Sequence, residues 1–346
     1  METVMNQKML KRRVAFVTGG SGFVGSRLVQ VLVANNWEVR ALARSSSAVS
    51  EVKKLGAIPV SGDLNDLQAL QQGMADSEVV FHVAALFKLW GDKKEFDHIN
   101  VEGMKMVVQA AAATASIRKV VSVGAAAVVM GDPDSMLNVD ENAPVQVCSF
   151  APYSASKAKA ERILLSANGL RPEFDTISIR PPMIWGAGMP TLDHMVETVN
   201  AGHWQWIDGG DQSMSTCHVD NLISALLLAA DRGRGGQAYF VADAEIGTLK
   251  SVLSELLLTK NVKAGEKSVS FGMAWTMAGV LGSAWCLFRL RGEPPITRQM
   301  LRLIGKSFTV SYEKARNELG YIPLVSWAQG VRSMSYGLDN SHKHSI

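Results

Sequence analysis

Residues 14–32, VAFVTGGSGFVGSRLVQVL, read as a buried strand that runs through a glycine turn straight into a helix. Gly19, Gly22 and Gly25 stand at the turn and the helix start. Glycine at such positions permits a tight turn and lets the backbone approach a pyrophosphate closely. The free amides of the following helix then meet that anion with the favourable end of the helix dipole. Beyond the turn, Val24, Leu28, Val31 and Leu32 recur at the spacing of a helix packed on a sheet. A glycine triplet alone also occurs as a structural turn. Strand, turn and helix in this order are what point to a bound dinucleotide.

The same alternation continues along the chain. Strand signals at 37–43, 57–60, 79–83 and 119–123 are separated by helical stretches, notably 101–115, and later strands are expected at 176–179 and 238–241. Such alternation predicts an α/β fold: a doubly wound parallel (Rossmann) sheet with helices on both faces and nucleotide across the carboxyl ends of the strands. Residues 11–190, with about 214–245, are assigned to this domain. About 191–213 and 246–338, richer in Trp, Met and Gly, are expected to form a smaller substrate-binding lobe, with tails at 1–10 and 339–346. No internal repeat or low-complexity tract is evident.

The 346 residues are 47% hydrophobic and 19% charged, enough apolar content for one large or two smaller cores. The net charge of +3 comes without a dense basic stripe, which argues against nucleic acid as a partner. Cys148, Cys217 and Cys286 are odd in number and far apart, a pattern of a reducing compartment rather than of a disulfide framework or metal cluster. The start, METVMNQKMLKRR, lacks the apolar run and cleavage site of a signal peptide, so a cytoplasmic location is expected. Residues 268–288, SVSFGMAWTMAGVLGSAWCLF, hold no charge over 21 positions and are followed by Arg289 and Arg291. That length suffices to cross a bilayer, but a span would separate the C-terminal segment from the nucleotide domain. A helix that covers an apolar substrate pocket or lies in a membrane surface is expected instead, with an ordinary buried helix as the alternative.

Tyr153-Ser154-Ala155-Ser156-Lys157 opens a further helix. A spacing of four puts the phenol and the ammonium on one face. The ammonium is expected to lower the phenol's pKa, so that Tyr153 exchanges a proton with a carbonyl oxygen near neutral pH. A Y-x-x-x-K match is common by chance. Its place, about thirty residues beyond the fifth strand of a dinucleotide fold, gives it catalytic meaning.

The chain resembles the extended short-chain dehydrogenase/reductases, most closely their 3β-hydroxysteroid dehydrogenase and dihydroflavonol reductase branch. The resemblance rests on 18–25, GDL at 62–64, FHVAA at 81–85, NVEG at 100–103, YSASK at 153–157 and RPPMIWG at 180–186. It continues through HVDN at 218–221, PPITR at 294–298 and ARNELGY at 315–321. It implies a nicotinamide cofactor cradled by Gly19, Ser21, Gly22, Phe23, Val24 and Gly25. Asp63 and Leu64 would bracket the adenine, and Val83, Ala84 and Ala85 would line the ribose and pyrophosphate. Asn100 would steady the site, and Pro181 and Ile184 would touch the nicotinamide. Tyr153 would be the acid/base and Lys157 the holder of the nicotinamide ribose. A homodimer through the helices of Asn100 and Tyr153 is also implied. His82, inside the fourth strand, reads as a packed histidine, and His218 with Asp220 as a structural link between the lobes.

Two departures narrow the reading. An NAD-selective site has an acidic residue near the end of the second strand. Here Ala43 and Arg44 stand there, with Arg40 earlier on the strand, and arginine suits a 2′-phosphate. NADP(H) is therefore favoured, with NAD as the alternative. The family's serine or threonine five residues before the glycine at Gly131 is Ala126, and Ser122 lies too far back in the strand to replace it. Such a hydroxyl stabilises charge on the substrate oxygen. The expected activity is hydride transfer between nicotinamide and a small hydrophobic alcohol or ketone, steroid-like or lipid-derived. The alternatives are a nucleotide-binding sensor on a reductase scaffold and an epimerase or dehydratase. No metal site is expected.

Overall fold

The computed structural model describes residues 12–341. Seven strands form the main sheet: β1 (Val14–Thr18), β2 (Glu38–Ala43), β3 (Ile58–Ser61), β4 (Val79–His82), β5 (Lys119–Val123), β6 (Asp175–Arg180) and β7 (Gln237–Phe240). Their spatial order is β7-β6-β5-β4-β1-β2-β3, and every pairing is parallel. A sheet covered on both faces needs apolar residues on both, and accordingly Ala15, Phe16 and Val17 are all fully buried. One face packs Leu28 and Leu32 of helix Phe23–Ala34 together with Leu222 and Leu226 of helix Val219–Arg232. The other packs Leu70, Met104, Val107 and Leu164 from three further helices. The strand order reverses beside β1, which opens a crevice at the carboxyl ends of β1 and β4. The expected doubly wound sheet is present.

A second, smaller sheet is built from Ser213–His218, Ile246–Thr248, Phe308–Val310 and Met136–Val139, with Met183–Trp185 paired to the first of these. It takes strands from both of the regions assigned by sequence, Met136–Val139, Met183–Trp185 and Ser213–His218 on one side and Ile246–Thr248 and Phe308–Val310 on the other. Asp243, just beyond β7 of the main sheet, ties two strands of the small sheet to helix Val219–Arg232. Its buried carboxylate accepts hydrogen bonds from Trp185 Nε1, Thr216 Oγ1, the His218 amide and Asn221 Nδ2, each at 2.6–2.7 Å. Four donors satisfy a charge that would otherwise be costly to bury.

Three expectations are corrected locally. The helix expected at 101–115 is helical from Lys93 onward and passes through a π-helical segment, Asp97–Glu102, before Gly103–Ala113. The apolar stretch forms helix Phe271–Phe288, preceded by a short strand, Ser268–Val269. Only Ala274 and Ala278 of that helix are buried, while Met273, Val280, Leu287 and Phe288 are more than half exposed. The ordinary buried helix is thus excluded, because the helix packs along one narrow stripe. Asn340 and Ser341, expected in a frayed tail, belong to helix Trp327–Ser341. The tails at 1–10 and 342–346 lie outside the described residues.

Candidate active site

The glycine turn meets its geometric requirements. Gly19 has φ +74°, and a Cβ there would lie 2.7 Å from the Ala84 nitrogen. A Cβ on Gly25 would come within 1.9 Å of the Gly19 carbonyl oxygen, so the helix can approach the turn only as glycine. Gly22, by contrast, has room: a Cβ there would meet only the Gly19 oxygen, at 3.4 Å. Ser21 and Gly22 are exposed, and Gly22 as N-cap offers no side-chain acceptor to the first-turn amides. The arrangement fits an anion held by backbone amides over an open glycine surface. The residues present therefore fit a dinucleotide, with Gly19 to Gly25 as its cradle.

Thr18 fixes the facing loop. Its carbonyl accepts from the Val83 amide at 3.2 Å, and its hydroxyl from the Ala84 amide at 3.3 Å. The same hydroxyl lies 2.8 Å from His82 Nδ1. His82 is buried, and burial with the nearby Lys157 pushes its pKa down to about 3, so it stays neutral. It is a packed histidine, as read from its place in the strand. Leu64 packs against Gly103, where a Cβ would come within 2.9 Å, and Asp63 turns its carboxylate to the Asn65 amide at 2.7 Å.

Tyr153 and Lys157 lie on helix Pro152–Ser166, whose Pro152 presets the first turn. The Tyr153 ring meets the Phe87 ring edge-on at 5.0 Å and packs against the cluster that includes Ala125, Ala126 and Ala127. Lys157 is buried and donates to the Val123 carbonyl at 2.7 Å. The expected depression of the phenol pKa is not what this geometry produces. Burial pushes Tyr153 up to about 12, and it lowers Lys157 to about 8 against the opposing charge of Glu161. Desolvation exceeds charge attraction here because the ammonium is turned toward a backbone carbonyl.

Asn100 lies in the π-helical segment and is buried. Its side chain accepts from the Leu86 amide at 2.7 Å and donates to the Leu86 carbonyl at 3.1 Å and to Ser156 Oγ at 2.9 Å. Ser156 in turn donates to the Tyr153 carbonyl at 2.8 Å. One amide thus joins the active-site loop to the tyrosine helix, and the extra residue of the π turn sets its position. Ala126 is buried, with its amide bonded to the Pro181 carbonyl at 2.8 Å. Ser122 is buried within β5 and faces the His82 carbonyl at 3.4 Å. Ile184 lies on the strand that follows Pro181.

These residues place a glycine cradle, a Tyr–Lys pair and a bracing asparagine at one edge of the sheet. Residues 16–257 match the family described as 3-beta hydroxysteroid dehydrogenase/isomerase. The chain belongs to that family. It is accordingly an NAD(P)-dependent dehydrogenase/reductase of the extended short-chain type. It is 40% identical over 320 residues to the 4-hydroxy-2-methyl-3-oxo-4-farnesyl-3,4-dihydroquinoline-1-oxide ketoreductase of Stigmatella aurantiaca, spanning 92% of this chain and 95% of the relative. It is 32% identical to the 2-alkyl-3-oxoalkanoate reductase of Stenotrophomonas maltophilia, spanning 92% and 97%. Among solved structures, gox2253 superposes with a TM-score of 0.76 at 27% identity, covering 96% of this chain and 99% of that one.

For a dehydrogenase of this family, two further groups matter. Arg44 is exposed at the carboxyl end of β2, beside Ser45, which caps the next helix. Arg40 does not join it. Its guanidinium binds Glu38 and the Ala75 carbonyl, so its expected part in a 2′-phosphate site is withdrawn. The side chain leaves β2 well before the strand's carboxyl end, where nucleotide lies. Sequence reasoning also missed Glu161. One turn beyond Lys157, it is buried and bound by Arg180 at 2.6 and 2.9 Å and by Ser178 at 2.7 Å. Its position four residues after Lys157, with an arginine closing a later strand, was the available signal. His218 caps helix Val219–Arg232 through the Asp220 amide, a local structural role, while the bonds to the late segment come from Asn221, which accepts from the Leu324 and Val325 amides.

Proposed function

We propose that this protein is an NADP(H)-dependent ketoreductase acting on ketones that carry a large apolar group, or on the corresponding alcohols. The observation that carries the reading is the Tyr153–Lys157 pair on one helix face beside an apolar wall. Phe87 packs on the Tyr153 ring, and Phe150, three residues before Tyr153, meets Trp275 edge-on at 5.4 Å. Both relatives named above are reductases of oxo compounds with apolar substituents, which favours the same substrate class.

Gly19, Ser21, Gly22, Phe23, Val24 and Gly25 would hold the cofactor's pyrophosphate, Asp63 and Leu64 its adenine side, and Val83 to Ala85 the facing edge. Arg44 would meet a 2′-phosphate with its fork of donors. Pro181 and Ile184 would flank the nicotinamide, and Lys157 would hold its ribose with the N–H groups left free by Val123. When bound, the cofactor supplies or accepts the hydride. Burial pushes the Tyr153 phenol up to about 12, so it is protonated near neutral pH. It therefore serves best as the acid that protonates a ketone oxygen as negative charge develops there. Ala126 gives that oxygen no side-chain donor, so a bound water or a hydroxyl of the substrate takes that role.

Steady consumption of NADPH with a panel of apolar ketones tests this reading. Tight NADPH binding with no turnover would instead support the sensor, the reading that buried Ala126 favours. Helix Phe271–Phe288 would lie in a membrane surface beside the substrate entrance, since its neighbours on both sides bond into the same body: Ser268–Val269 to Trp206–Ile207, and Thr297 to Leu89. Vesicle flotation of the wild type but not of a chain lacking 271–288 tests that placement. A homodimer through the helices of Asn100 and Tyr153 completes the proposal, with sedimentation velocity as its test.

A further inference from the structure

The segment PPITR at 294–298 runs into Gln299, a buried residue at the start of helix Arg298–Ile304. Gln299 is committed at both ends of its amide. Oε1 accepts from the Tyr153 backbone amide at 2.8 Å, and Nε2 donates to the Lys88 carbonyl. Thr297 beside it donates to the Leu89 carbonyl at 2.8 Å while capping its own helix through the Met300 amide. Two adjacent side chains from late in the chain thus hold the loop that carries Phe87, and one of them also holds the tyrosine helix.

The need for this bond follows from the helix itself. Helix Pro152–Ser166 begins after Ala151, which has no side chain able to cap it, and Pro152 has no N–H to offer. The Tyr153 amide is therefore an orphan donor of the first turn. Its acceptor comes from 146 residues away. On its other side, the Arg298 guanidinium lies over the Trp275 ring at 5.1 Å and rests against Gly279 of the apolar helix. Trp90 packs against Gly282 of the same apolar helix. Helix Arg298–Ile304 thus meets the apolar helix through Arg298 and the first turn of the tyrosine helix through Gln299.

We propose that Gln299 is a positioning residue for Tyr153: it fixes the start of the tyrosine helix and clamps the Phe87 loop against the phenol ring. The seating of the late segment 294–304 and the placement of the acid/base group are then one event. This rests on the reading of Tyr153 as the acid/base. Both ends of the Gln299 amide are taken up by the protein itself, so its removal should act on kcat rather than on nucleotide affinity.

Two substitutions in the full chain separate the two bonds. Gln299→Leu removes both at similar volume. Gln299→Glu keeps an acceptor for the Tyr153 amide and loses the donor to Lys88. A misplaced acid group costs up to roughly a hundredfold in rate. The expected result for Gln299→Leu is a fall in kcat of at least about tenfold, with the Kd for NADPH, read by fluorescence titration, within about twofold of wild type. Gln299→Glu should recover most of the lost kcat, because the helix cap is restored. Unimpaired NADPH binding shows that each variant is folded. Wild-type kcat in Gln299→Leu would overturn the proposal, as would an equal loss of kcat and NADPH affinity in both variants. Tyr153→Phe is measured alongside. If it is inactive while Gln299→Leu is fully active, only the positioning role fails. If Tyr153→Phe is itself fully active, the acid/base reading fails first.

Discussion

Lys157 donates to the Val123 carbonyl at 2.7 Å, four residues along the helix from Tyr153 and at the carboxyl end of β5. The ammonium is thereby tied to the sheet rather than spent on the phenol. Burial brings its pKa down to about 8 and takes the phenol up to about 12.

The pH profile follows from those two values. Lys157 holds its ribose-binding charge below about pH 8 and loses it as pH rises through that value. Tyr153 stays protonated throughout. The kcat/KM for NADPH should therefore fall above about pH 8, while reduction shows no basic limb from the phenol below pH 10. Lys157→Met should remove the limb and weaken NADPH binding most below about pH 8, where the wild-type lysine is charged. A basic limb that survives in Lys157→Met would contradict the assignment.

The missing hydroxyl is open to direct repair. Ala126 is buried beside the cluster that contacts Tyr153. A serine there would supply the side-chain donor that Ala126 lacks. Since losing such a group costs roughly 10²–10³ in rate where it matters, Ala126→Ser should raise kcat on simple apolar ketones by about tenfold or more. Ketones with a neighbouring hydroxyl should gain less. An unchanged or lower rate on both would show that nothing limiting happens at that position.

In the proposed site, Arg44 sets the cofactor choice. Hydrogen bonds to a charged group contribute about 1.5–3 kcal/mol, so Arg44→Glu should shift the ratio of NADPH to NADH affinity at least about tenfold toward NADH. The same ratio from isothermal titration of Arg40→Ala should stay near wild type, because Arg40 is bound to Glu38 and Ala75. A larger shift in Arg40→Ala than in Arg44→Glu would reverse the assignment.

The main sheet was legible in the sequence because its parallel strands are continuous apolar runs with glycine where backbone meets backbone. Residues 14–32 alone fixed the order strand, turn and helix, and Gly19 and Gly25 are glycine for steric reasons that composition carries. The small sheet was not legible. Its strands are mostly three or four residues long and pair across as many as 172 positions, as Phe308 does with Met136, so local periodicity holds no trace of the partner. Arg40 was misread because sequence gives distance along a strand but not where a long side chain finds its acceptor. The phenol's pKa depended on burial, which the Y-x-x-x-K spacing does not record. Asp243, Glu161 and Gln299 drew no attention because a polar residue acquires its partners only when distant segments meet.

The central claim is that Tyr153 supplies the proton while the glycine cradle independently holds the nucleotide. Tyr153→Phe removes a single hydroxyl and leaves the cradle, Lys157 and Asn100 in place. NADPH oxidation with the best apolar ketone should fall at least about a hundredfold in this variant, with the Kd for NADPH within about twofold of wild type. Wild-type turnover by Tyr153→Phe would contradict the account.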